Sequence, residues 1–431
     1  MLTDNRDEGL TVSKRSSLTA FGDDAVKAKR TQLSQWLMMF ATFGLVSSFG
    51  IFEDYYVRNF HKEASDIAWL GSLQLCLMFT MGLVVGKAFD EGYFHHLMIT
   101  GTVIYVFGLF MLSLADPAQY YQVFLSQGVT CGLGLGLVFL PTLGVISHHF
   151  LRRRALAVGI AFTGSSVGGV VFTLMLNNLF RPDSLGFANG VRVAAGVAAL
   201  PMIAANLIMR TDVPPRRKRT VQVPLPNPAS FFRDRDYVLG LLGLCSLSFA
   251  VYFPIFYIQI DAAVHGINSD LSFYTLTILN ACSIPGRLLP NFAADRLGIL
   301  NVTIFVALAS GAVTLGMLGI QTNSAATAAV IIISVVYGFF SGALLSLLGA
   351  VVPTLSRSVH EIGMRTGIVF LFMGICGLLG SPIAGWLLGS NPLTYTWWRA
   401  IVFSSVMLFV SAALLFFARL DVVRRKSSRY V

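Results

Sequence analysis

The sequence predicts an all-α membrane protein whose twelve transmembrane helices form two six-helix bundles, and three observations carry that expectation. Hydrophobic residues make up 55% of the 431-residue chain and charged ones only 12%, against about 25% charged in an ordinary soluble domain. That is more apolar surface than one water-facing domain can bury. Twelve apolar runs are each long enough to cross a hydrocarbon layer of about 30 Å, which takes roughly 20 helical residues. Short motifs also recur between the two halves of the chain at a separation of about 210 residues.

In order, the runs are 33–57, 67–89, 96–115, 120–147, 155–178, 190–210, 237–262, 271–294, 299–320, 326–350, 365–389 and 397–418. Helices are expected because a lipid-exposed backbone must satisfy its own hydrogen bonds, and these runs are too long for barrel strands. Residues 1–32 mix acids and bases with no apolar segment or cleavage pattern, and read as a disordered cytosolic tail. Residues 33–210 form the first bundle. Residues 211–236, with Pro214-Pro215-Arg216-Arg217-Lys218-Arg219, are the cytosolic linker. Residues 237–418 form the second bundle and 419–431 a cytosolic tail. Glu53 and Asp54 close the first run near the outer surface and read as a solvated helix end, with a proton-titrating role as the alternative.

Charge sets the orientation. Of the 31 Lys and Arg residues, 25 fall in the loops and tails on the side of the termini, five on the opposite side, and Arg287 alone lies inside a span. The excess predicts both termini in the cytosol, and the plasma membrane is the expected location. The net charge of +10 is gathered in short clusters between apolar runs, which suits anionic headgroups of the lipid bilayer and excludes a nucleic-acid partner. Cys76, Cys131, Cys245, Cys282 and Cys376 stand singly in apolar surroundings, with no metal or redox spacing. His148-His149 and His95-His96 point in different directions on their helices and have no acid or Cys to complete a metal set. Gly132-Leu133-Gly134-Leu135-Gly136 lacks the preceding strand of a dinucleotide loop. No cofactor, metal or catalytic residue is expected.

The recurrent motifs place the candidate functional residues. Pro141-Thr142-Leu143 returns as Pro353-Thr354-Leu355, and Arg154 before a Gly-rich helix returns as Arg365. Gly86 and Asp90 follow the second span, and Asp295, Arg296 and Gly298 follow the eighth. A guanidinium within a span is costly unless it meets water, an acid or carbonyls, so Arg287 must face the bundle interior. Its planar fork suits a carboxylate. The alternatives are that it reaches the interface or pairs with Asp295. Asn280 and Ser283 precede it by seven and four residues and share its helix face. They are candidates for the same cavity or for interhelical hydrogen bonds. No carboxylate sits at the middle of a span, so protons, a candidate co-substrate, have no obvious carrier.

Six plus six helices, a central basic linker and acidic-glycine loops after the second and eighth spans resemble the major facilitator superfamily. The resemblance implies the major facilitator fold, with Gly86, Asp90, Asp295, Arg296 and Gly298 as a conformational latch in which the Asp accepts hydrogen bonds from a neighbouring helix. Glu91 stands where that family's loop has a basic residue. Gly286-Arg287-Leu288-Leu289-Pro290-Asn291, Ala294-Asp295-Arg296-Leu297-Gly298 and Phe150-Leu151-Arg152-Arg153-Arg154-Ala155 are similar to fungal monocarboxylate transporter-like proteins. That narrower resemblance implies anion binding at Arg287. Its usual partners, an Asp one turn earlier and a Lys on the first helix, are replaced by Ser283 and by Gly44-Leu45-Val46-Ser47-Ser48-Phe49-Gly50, so a lactate-and-proton symport mechanism does not carry over intact.

The leading expectation is a transporter of a small organic solute, a monocarboxylate or other anionic metabolite, working by alternating access, with Arg287, Ser283 and Asn280 at the substrate. The first alternative is efflux of a fungal secondary metabolite, since a Phe-rich cavity tolerates a bulkier, more apolar ligand than lactate. A non-transporting nutrient sensor is the alternative of another class, disfavoured by the short tails. A membrane enzyme ranks last for want of a nucleophile, metal set or paired acids.

Overall fold

The computed structural model describes residues 27–60, 64–116, 119–149, 154–181, 183–209, 228–322, 326–357, 361–389 and 395–427. Most of the expected amino-terminal tail, the linker from 211 to 227, and the side chains of Asp90, His148 and His149 lie outside the described residues. Twelve long helices run through the described residues: α1 Lys27–Val57, α2 Asp66–Gly86, α3 Phe94–Leu114, α4 Tyr120–Val145, α5 Arg154–Leu179, α6 Gly186–Ile208, α7 Arg235–Ala262, α8 Ser269–Leu297, α9 Ile299–Ile320, α10 Thr327–Leu355, α11 Ile362–Leu388 and α12 Trp397–Lys426. We call the end where α1 begins and α12 finishes the termini face.

Eleven of these helices are long and apolar enough to cross a membrane by composition. The exception is α8, which carries Asn280, Ser283, Arg287, Asn291 and Asp295. It tolerates them because α5 and α10 cover it, so these groups meet protein and not lipid. The third and sixth helices of each half, α3, α6, α9 and α12, show Phe107, Leu200, Phe305 and Phe417 to the surroundings. They form the lipid-facing flanks, with α1, α4, α7 and α10 packed nearer the centre.

Two helix ends depart from the sequence reading. α1 begins at Lys27, inside the segment expected to be a tail, and α12 continues to Lys426, past the expected end at 418. The extension of α12 has a cause: Arg425 lies 2.6 Å from Asp236, and Arg235 lies 3.4 Å from Asp421, tying its last turns to the start of α7. Residues 419–426 are therefore helical and docked.

The halves meet along two antiparallel seams. In the first, α5 descends past α8: Ala155 faces Asp295, Phe162 faces Arg287, Ser166 faces Ser283 and Gly169 faces Asn280. In the second, α2 passes α11, with Cys76 and Thr80 against Gly374, Phe79 against Phe370, and Leu83 against Gly367. The two seams exchange when the halves are exchanged, as expected for parallel repeats about one axis. Within the halves, Gly132 and Gly136 of α4 pack on α2, while Gly338 and Gly342 of α10 pack on α8. At Gly286 a Cβ would collide with the Phe339 carbonyl of α10, so the α8–α10 crossing admits no larger residue there.

Two helices are irregular near the middle. α1 breaks at Ser48, whose hydroxyl donates to the Gly44 and Gly169 carbonyls at 3.1 and 3.2 Å. α4 widens into a π-helix over Phe124–Cys131. Such interruptions are common at functional sites in helical proteins.

Candidate functional site between the halves

A small cavity of about 10 Å³, room for about one water molecule, sits between the halves. Phe43 of α1, Phe79 of α2, Phe139 of α4, Phe162 of α5 and Phe370 of α11 line it, with Leu143 of α4 and Leu345, Leu348 and Gly349 of α10. The rings form a continuous lattice, with centroids 5.6 Å apart for Phe43 and Phe139, 5.7 Å for Phe79 and Phe139, and 5.5 Å for Phe79 and Phe370. Every lining side chain is apolar. That is far below the roughly 300–1,000 Å³ of pockets that hold drug-sized ligands. A large solute enters only when the halves separate.

Arg287 is 2% exposed and stands behind the Phe162 wall of this cavity, outside its lining. Its Nη1 donates to the Phe162 carbonyl and to Ser165 Oγ, both on α5, and its guanidinium carbon lies 5.8 Å from the Phe162 ring centroid. Its Nε has no hydrogen-bond partner, and among the described residues no carboxylate forms an ion pair with it. The alternative pairing with Asp295 is not made. Ser283 and Ser166 share a 2.5 Å hydrogen bond, and Asn280 Nδ2 donates to the Ser47 carbonyl at 3.4 Å. All three candidates therefore sit on the α8 seam, against α5 and the break in α1.

The loop residues after α2 and α8 are positioned differently from one another. The Asp295 carboxylate accepts the main-chain N–H of Ala155 at 3.1 Å and of Leu156 at 3.0 Å. It caps the first turn of α5, where unpaired amides and the helix dipole favour an anion. Arg296 is exposed and stacks over Phe292 at 4.3 Å. Gly298 adopts φ 99°, a left-handed conformation that favours glycine, and starts α9. Gly86 lies against Leu140, and the Asp90 backbone is helical.

Two groups escaped the sequence reading. Arg365, assigned there to a cytosolic loop, is 1% exposed. Its Nη2 lies 2.5 Å from Asp234 and its Nε 2.9 Å from Glu361, and it is sandwiched between the rings of Phe231 at 4.4 Å and Tyr237 at 4.7 Å. Arg357 adds a second cation 2.7 Å from Asp234. The acids precede α7 and α11 by a residue or so, and only folding brings them together.

Glu53, read as part of a solvated helix end, is 0% exposed, and neither carboxyl oxygen has a hydrogen-bond partner. The second segment of α7, Tyr252–Val264, packs over this part of α1 and seals it. Asp261 of α7 is also fully buried. His265 Nδ1 lies 3.0 Å from its Oδ1 and 2.9 Å from its carbonyl. The hydrogen bond to Asp261 holds the His265 imidazolium above the ordinary histidine range. Among the described residues no group of His, Cys, Asp and Glu is arranged to hold a metal.

The chain matches the Major Facilitator Superfamily over residues 35–334. It is similar to the MFS transporter asaE of Aspergillus flavus, 36% identical over 401 residues that cover 92% of this chain and 88% of that one. The aspyridones efflux protein apdF of Emericella nidulans is 35% identical over 370 residues, 85% of this chain and 73% of that one. The agnestins efflux protein AgnL12 of Paecilomyces divaricatus is 34% identical over 399 residues, 90% and 87% of the two chains. The crystal structure of a mutant of the nucleoside transporter NupG shares the fold, with a TM-score of 0.66 at 14% identity over 91% of this chain and 99% of that one. Two six-helix halves around a central cavity, with these relatives, define a transporter. The chain belongs to the Major Facilitator Superfamily and is a multi-pass integral membrane protein.

Proposed function

We propose that this protein exports a bulky, largely apolar organic solute of the secondary-metabolite class by alternating access. The observation that carries this reading is the cavity lined by five phenylalanines drawn from both halves, with no charged side chain in its lining among the described residues. Burying an ionised carboxylate there without a counter-charge is costly, whereas flat apolar rings suit an apolar or aromatic guest. The efflux names of two relatives support the same direction. In this scheme residues 33–210 and 237–418 are the two moving bundles, the 211–236 linker and both termini are cytosolic, and the protein resides in the plasma membrane. Gly86, Asp90, Asp295, Arg296 and Gly298 latch the termini face.

A second reading rests on Arg287. Parting of α5 from α8 frees its fork from Phe162 and Ser165, leaving a guanidinium beside Ser283 and Asn280 at the edge of the widened cavity. An acidic group on the solute then finds a partner, which is what the likeness to monocarboxylate transporters implies. The deciding experiment is flux in proteoliposomes containing the full chain, with aspyridones, agnestins, lactate and acetate as solutes. The proposal expects movement of the large solutes and none of acetate or lactate. Transport of lactate alone overturns it in favour of the second reading.

A further inference from the structure

The outer part of the α1–α7 contact holds an excess of buried acceptors over donors. Glu53 Oε1 and Oε2 and Gln259 Oε1 are all buried without a hydrogen-bond partner. Gly50, one turn before Glu53 on the same helix face, has the Phe256 carbonyl and Gln259 Oε1 within 4 Å of where a Cβ would stand. Glu53 therefore looks toward α7, and Tyr257 lies within electrostatic reach of it. The Tyr257 hydroxyl already donates to the Ser381 carbonyl at 3.5 Å, so it does not supply the missing donor.

Among the described residues, the other titratable groups near this contact do not neutralise Glu53. On α1, Asp54 adds a like charge, and the Tyr56 hydroxyl donates to Gln127 Oε1 of α4 at 2.6 Å. On α7, Tyr252 and Tyr257 are neutral phenols, and Asp261 is engaged by His265. On α2, Asp66 is exposed, as is Arg181 at the outer end of α5. Tyr395, before α12, interacts with Tyr257. Among the described residues no Lys or Arg forms an ion pair with Glu53. A carboxylate stripped of water and counter-charge is far less stable than the neutral acid. The protonated acid also supplies the donor that Gln259 Oε1 lacks.

We propose that Glu53 is the proton-carrying site that couples solute export to the proton gradient. The inference rests on the export reading above. With α1 and α7 packed together, as here, Glu53 holds a proton. When the halves part on the face opposite the termini, water reaches the carboxyl and it exchanges its proton with that side. In the other open state the proton leaves through the central cavity to the termini face, and the solute takes its turn. One proton enters for each outward excursion, so the carboxyl starts and ends each cycle in the same state. Acidic residues buried between moving helices are the usual proton relays of membrane transporters, and this one sits at a contact that must open and close.

The test uses the full chain in proteoliposomes and has two arms. The first is infrared difference spectroscopy at neutral pH, which needs no solute. The wild-type protein should show the carbonyl stretch of a protonated carboxyl that is missing in Glu53→Gln and displaced in Glu53→Asp. The second compares equilibrium exchange of an aspyridone with efflux driven by an imposed pH difference. Glu53→Gln should keep exchange and lose the acceleration by the pH difference, and Glu53→Asp should regain part of it. A carboxyl band that persists in full in Glu53→Gln overturns the proposal, as does undiminished acceleration in that variant. Should no solute move even in wild type, the export reading fails on its own, and the infrared arm still decides the protonation of Glu53.

Discussion

Asp295 and Ala155 join the two halves of this transporter through a carboxylate and a main-chain amide 3.1 Å apart, with the Leu156 amide as a second donor at 3.0 Å. The contact uses the electropositive start of α5 in place of a side-chain cation, so it depends on helix geometry and on one negative charge. Asp295→Asn keeps the shape and removes the charge. Capping and dipole contributions of this kind are worth about 0.5–2 kcal/mol. The variant should shift the population several-fold toward states open at the termini face. Distances between spin labels at Tyr93→Cys and Leu297→Cys should broaden to longer values, and an unchanged distribution would show that the contact does not hold the face closed.

Arg365 should matter for stability more than any other cation on the termini face. Removing one partner from a buried ion pair costs about 3–5 kcal/mol, and Arg365→Ala strands Glu361 and leaves Asp234 with Arg357 alone. Arg365→Lys keeps the charge but not the fork that reaches both acids or the flat stack between Phe231 and Tyr237. Thermal unfolding in detergent should rank wild type above the Lys variant, and the Lys variant above Ala.

Arg287→Ala should abolish transport of solutes bearing an acidic group while insertion and expression are retained. Its partners are a helix carbonyl and a serine hydroxyl, neither of which is left as a buried charge when the guanidinium goes. Flux in proteoliposomes, read beside the yield of folded protein, separates the roles. Unchanged flux would reduce Arg287 to a staple between α5 and α8, and a loss of folded protein would make it structural.

The Asp261–His265 pair gives stability a definite pH dependence at the end opposite the termini. His265 titrates above the ordinary histidine value of about 6.5 because Asp261 accepts its hydrogen bond. A group whose folded pKa is raised binds the proton more tightly in the folded state. Its contribution is complete below the unfolded pKa and fades as pH rises through the folded one. His265→Gln should remove that component. The difference in melting temperature between wild type and variant should be largest at mildly acidic pH and shrink under alkaline conditions.

Much of the architecture was legible because membrane insertion writes itself into composition: twelve runs bounded by charge became twelve helices. The cavity was not. Phe43, Phe79, Phe139, Phe162 and Phe370 are five of 34 phenylalanines, and on lipid-facing and cavity-facing sides alike an apolar residue satisfies the helix. Arg365 looked like a loop cation because the acids that hold it lie up to 131 residues away. Glu53 looked solvated because its isolation is produced by α7, a helix of the other half. Each of these depends on tertiary packing between segments whose local patterns are complete without one another.

The polarity of α8 has a consequence for how the protein is made. Charged residues at the centre of a span cost about 2.5–3.5 kcal/mol each on biological insertion scales, so this segment partitions poorly when it leaves the ribosome alone. Its entry is favoured only once α5 can shield it and α10 has been synthesised behind it. Biogenesis of the second half thus leans on the first, and a nascent chain that ends just past α8 is expected to thread incorrectly.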